Sequence, residues 1–116
     1  MTVRRLKTYT GQQGYVYQYY FVGKRPAQAA EATEYIFDVT SDRKTTYAVS
    51  VVLPRSVVAE WAERHGRRLA DPEQYAAVKM RLFRAFDEVE EMQAKGRSLE
   101  VDSQSLEESL SSLGVE

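Results

Sequence analysis

The chain has 116 residues, 43% of them hydrophobic and 28% charged, with a formal net charge of -1. That is the composition of one ordinary globular domain, large enough to bury its own core. The absence of cysteine excludes disulfides, thiolate metal sites and thiol nucleophiles.

The opening "MTVRRLKTYT" is basic and has no apolar stretch of signal-peptide type, and no run is long enough to span a bilayer. These features lead us to expect a cytoplasmic protein of bacterial type without membrane contact. Period-2 patterning predicts a weak edge strand over Val3–Thr10, followed by a hairpin loop at "GQQG", 11–14.

The next run, Tyr15–Val22, holds four tyrosines and a phenylalanine in seven positions. It is followed by strands over Glu34–Thr40 and Thr45–Leu53, joined by the turn "TSDRKT" at 40–45. In the latter two strands Tyr35, Phe37, Val39, Tyr47, Val49 and Val51 alternate with polar or small residues, so odd positions face a core. The same parity in the aromatic strand turns Tyr15, Tyr17, Tyr19 and Phe21 inward. It leaves Val16, Gln18, Tyr20 and Val22 outward, together with Ile36, as an apolar patch that water disfavours. These five are the predicted partner-binding residues. The surface is expected to serve a homodimer or another protein partner, unless the Ala-rich loop or the C-terminus covers it.

At Pro54 the period becomes helical, with Gly66 as the stop signal, predicting a helix over 54–65. "DPEQ" at 71–74 starts a second helix, with Asp71 as N-cap and Gln74 returning a bond to it. Its stripe Tyr75, Val78, Leu82, Phe86, Val89 carries it to about residue 93. The expected architecture is α+β: an antiparallel meander of three or four strands, two helices on one face, and a flexible C-terminus. Domain bounds are 1–94 for the folded unit and 95–116 for an acidic, Ser-rich tail, mobile or docking as a short helix through Leu106, Leu110 and Leu113.

Residues 1–68 carry eleven Lys/Arg against six Asp/Glu, and residues 69–116 five against eleven. Lys24, Arg25, Arg43 and Lys44 lie in predicted strand-end loops and form a candidate phosphate-binding set. With tyrosines for base stacking, they make a nucleic-acid-binding regulator the alternative function. The sequence pI of 5.9 is low for a dedicated binder of this kind.

Other motif matches are local. Tyr75 and Lys79 have the Tyr-x-x-x-Lys spacing of short-chain dehydrogenases, but the glycine-rich turn and parallel sheet that such enzymes need are missing. "GQQG" has the outline of the KH-domain loop, yet precedes a strand instead of joining helices. The single histidine, His65, stands one residue before the helix-ending glycine, where a cation favours the helix dipole. Clustered acids Asp87, Glu88, Glu90 and Glu91 spread around a helix and do not converge on an ion. No catalytic set, metal or cofactor is expected, and the leading expectation is a non-catalytic protein-interaction module.

Overall fold

A computed structural model describes residues 6–27 and 31–116. It is an α+β fold in which a five-stranded, mostly antiparallel sheet has helices packed on one face. The strands are β1 (Lys7–Thr10), β2 (Val16–Pro26), β3 (Ala32–Thr40), β4 (Tyr47–Pro54) and β5 (Ser98–Glu100), lying side by side in that order. β1 to β4 form an antiparallel meander, and β5 joins the far edge parallel to β4. The helices are α1 (Arg55–His65), α2 (Asp71–Glu88), a single turn α3 (Met92–Lys95) and α4 (Ser103–Ser112).

The two hairpins follow from their loop residues. In "GQQG" Gly14 takes φ 90 and donates its N–H to Gly11 O at 3.0 Å. A Cβ on Gly11 would stand 2.7 Å from Phe86 O of α2, so glycine is required for that close approach. In the β3–β4 turn, one Asp42 carboxylate oxygen accepts the N–H groups of Lys44 and Thr45, both at 2.8 Å, and Arg43 enters the left-handed region at φ 64. The expected strand over Val3–Thr10 is described only from residue 6, with β1 beginning at Lys7; its first residues lie outside the described ones.

The odd-numbered parity holds from Tyr17 through Phe21, whereas Tyr15, expected inward, lies before β2 and is 51% exposed. Tyr17, Tyr19, Tyr35, Phe37, Val39, Tyr47, Val49, Val51 and Leu53 are all buried beneath the helices. Aromatic pairing fixes how α2 sits: Tyr17 stacks on Phe86 at 4.2 Å and Tyr9 on Phe83 at 4.4 Å. α1 follows Pro54 directly and ends at Gly66, whose φ is 70. α2 begins one residue earlier than the Asp71 cap expectation implies, since Ala70 is the N-cap and Asp71 the first helical residue. Glu73, not Gln74, returns the bond by accepting the Ala70 N–H at 2.9 Å, and Gln74 donates to Leu69 O instead. Position N3 is the one whose side chain reaches back over the first turn.

The C-terminal segment differs most from the expected flexible tail. α2 stops at Glu88, and the chain then adds β5 to the β4 edge. It next enters α4, capped by Asp102 through a 2.7 Å bond from the Ser105 N–H. Leu99, Val101, Leu106 and Leu110 are buried in the same core as the sheet, with α4 lying against α1 and α2. Two helices were expected, with a docked short helix at the C-terminus as the alternative to a mobile tail; four helices are present among the described residues, and α4 is that docked helix. A short segment with only a few large apolar residues suffices because four of them, Leu99, Val101, Leu106 and Leu110, land in one shared core, while Leu113 stays 46% exposed.

No described helix is long and apolar enough to cross a membrane.

Candidate interaction face of the sheet

The described helices all lie on the odd-residue face. Strand register places Val16, Gln18 and Tyr20 of β2 and Ile36 of β3 on the opposite, outer face, as expected, together with Thr8, Asp38, Ala48, Ser50 and Val52. Val16 is 44% exposed, while Gln18, Tyr20 and Ile36 are half-buried by their neighbours.

Val22 belongs to a different environment. Phe21 pairs with Phe37, yet Gly23 pairs with Ile36, so the strand bulges between them and Val22 is the extra residue. The bulge reverses the parity of everything after it. Lys24 pairs with Tyr35 and so falls on the helix side, its ammonium 5.9 Å from the Tyr35 ring centre and 3.8 Å from Asp71 Oδ2. Arg25 is turned to the outer face by the same reversal, bonded to Glu34 Oε1 at 2.7 Å. This pairing holds the Glu34 carboxyl below its usual value, with a further contribution from Ser50.

The four candidate phosphate-binding cations are therefore not gathered. Arg25 lies opposite Glu34 near the start of β3, whereas Arg43 and Lys44 follow its end at Thr40. Six residues of strand separate the two pairs, about 20 Å. The sequence places all four in loops; the extension of β2 to Pro26 puts two of them inside a strand.

Arg43 does meet two of the predicted partner-binding residues, Gln18 and Tyr20. It lines a hollow of about 270 Å³ on the outer face together with Leu6, Gln18, Tyr20, Asp38, Thr40 and Thr46. Tyr20 donates its hydroxyl to Asp38 Oδ2 at 2.6 Å, and Leu6, 50% exposed, forms the opposite rim. Asp38 and Leu6 were missed in the sequence. Asp38 could have been found as the even-numbered partner across from Tyr20, but only once the register was known.

The residues weighed for catalysis lie in other settings. Lys79 stands over the rings of Tyr75 and Phe83, 5.8 and 5.7 Å from their centres, so its ammonium faces the π-cloud of Tyr75. Burial pushes the Tyr75 phenol up, which keeps it protonated. His65 stacks on buried Trp61 at 4.1 Å, and its Nε2 is 2.9 Å from Glu107 Oε1, tying α1 to α4. Of the acid cluster, Asp87 accepts from Tyr9 and the Gln12 N–H, Glu88 pairs with Arg84, and Glu91 pairs with Lys95. A separate cleft of about 570 Å³ opens between Tyr15, Tyr17, Tyr47, Met92 and Arg97. Burial raises the Tyr47 phenol to about 12, more than the nearby Ser41 hydroxyl and Arg97 charge offset.

Comparison with protein-family models, curated protein sequences and solved structures gives no match to this chain.

Proposed function

We propose that the protein is a non-catalytic interaction module that self-associates through the outer face of its sheet. One observation carries this reading: the described helices all lie on the far side of the face bearing Val16, Tyr20, Ile36 and Val52, and Val16 on it is 44% exposed. Its centre is apolar or small, with Tyr20, Ile36, Ala48 and Ser50 across three strands. Five strands about 4.8 Å apart and a nine-residue β3 make a platform roughly 20 Å by 30 Å, in the size class of stable interfaces.

Each end of the face carries charges of both signs: Glu34, Glu100 and the already paired Arg25 at one, and Arg43 and Lys44 with Asp38 and Asp42 at the other. A two-fold axis in the plane of the sheet and across the strands lays Glu34 and Glu100 over Arg43 and Lys44 of a second copy, with the two sheets about 10 Å apart. The Tyr20 rings then meet near the axis.

Sedimentation-velocity ultracentrifugation of wild type and Tyr20→Glu tests the reading. Wild type is expected to sediment as a dimer, and the variant as a folded monomer, because the new carboxylate faces Asp38 and loses water on association. A wild-type protein that stays monomeric at every concentration accessible to the instrument overturns self-association.

A further inference from the structure

The helix side of the sheet carries a second surface, independent of the outer face, along the flank of α2 that lies over β1 and β2. Its rings are Phe21, Tyr75 and Phe83. The Phe21 and Tyr75 centres are 4.9 Å apart, and Phe21 is 38% exposed although it pairs with fully buried Phe37. Three lysines border those rings. Lys24 is present because the β2 bulge turned it to this side. Lys79 covers Tyr75 and Phe83, and Lys7, opposite Tyr19 on β1, is near enough for its charge to act on Lys79.

The electrostatics of this ledge are unfinished. Lys24 has a long contact to Asp71, but neither Lys7 nor Lys79 has a carboxylate within 4.0 Å among the described residues. Partial burial and the Lys7 charge together hold the Lys79 ammonium below its ordinary value. Two like charges drawn together over ring faces favour an anion that bridges them, and a phosphate group supplies oxygens to both. Beside that point lies an exposed, flat apolar ring. A simple carboxylate or phosphate would leave it wet, whereas a planar base would cover it.

We propose that this ledge binds a nucleoside phosphate, either free or within a single strand, with the phosphate between Lys7 and Lys79 and the base against Phe21 and Tyr75. The two sources share this chemistry and are separated by the test. Because the ledge and the self-association face are on opposite sides of the sheet, Tyr20→Glu leaves this binding unchanged.

Fluorescence anisotropy of a labelled uridine oligomer, with uridine monophosphate, inorganic phosphate and polyglutamate as competitors, reads it directly. The expected result is binding that weakens steeply with salt, by about 0.7 in log–log slope per phosphate neutralised. Lys7→Gln and Lys79→Gln each remove about one such step, and Phe21→Ala costs about 5- to 150-fold. Arg64→Ala, on α1 and paired only with Glu60, is the unchanged control. Competition by the monophosphate at the oligomer's own nucleotide concentration assigns a free nucleotide; competition by the oligomer alone assigns a strand. Lys79→Gln keeps the first two methylenes of the stem beside the rings and stays a good helix former, so circular dichroism is expected to report an unaltered fold. Absence of binding at low salt overturns the proposal. So does polyglutamate competing as well as the oligomer, or wild-type binding by folded Lys79→Gln and Phe21→Ala.

Discussion

Leu110→Ala asks whether the C-terminal helix is part of the core or an appendage. Leu110 is fully buried, and its helix lies against both α1 and α2. Deleting three side-chain carbons forfeits roughly 2.4 kcal/mol of transfer free energy at ~0.8 kcal/mol per methylene. Incomplete collapse around the vacancy brings the total to about 3–5 kcal/mol. For a domain of this size, with a total stability of about 5–15 kcal/mol, that is a large share. Urea unfolding followed by the emission of Trp61, which is itself fully buried against His65, should show the midpoint falling by about 1–3 M at unchanged slope. Leu113→Ala, three residues on and 46% exposed, should stay within about 0.5 kcal/mol of wild type. If Leu110→Ala costs under about 1 kcal/mol, far below the range for a buried leucine, α4 is not seated in the core and the account of the C-terminal segment fails.

The acid and alkaline limbs of stability give two further expectations. Glu73 accepts both the Arg67 guanidinium and the Ala70 N–H, which lowers its carboxyl from 4.5 to about 2. A depressed folded value means that its contribution is complete above 4.5 and disappears as pH falls toward 2. The gap in urea midpoint between wild type and Glu73→Gln should therefore be open at neutral pH and close on acidification; a gap that persists or widens refutes the assignment. At the other limb, burial is the first cause raising Tyr9, Tyr17, Tyr19, Tyr35, Tyr47 and Tyr75 above 10.0, with Tyr47 reaching about 12. Raised folded values mean stability is whole below 10 and lost as pH climbs through them, so tyrosinate absorbance and circular dichroism should change together. Smooth ionisation of all eight tyrosines near 10 in a protein that keeps its fold contradicts this.

What the sequence determined by itself is what local spacing encodes. Period-2 alternation from Tyr35 to Val51 selects the core face, because successive side chains of a strand must point to opposite sides. "GQQG", "TSDRKT" and Gly66 announce their turns through backbone geometries that few other residues adopt. The Tyr75–Phe86 stripe gives α2, and four of the five outer-face residues followed from parity alone. What only the tertiary structure decided are the non-local pairings. The bulge at Val22 is set by how β2 seats on β3, and it moved Lys24 from the outer face to the ring ledge beside α2. β5 is three residues long and has a strand's identity only because β4 offers it a parallel edge. Leu106 and Leu110 look like a sparse tail until α1 and α2 supply the other half of their burial. Hydrophobic burial depends on which surfaces meet, and a short segment does not carry the identity of its partner.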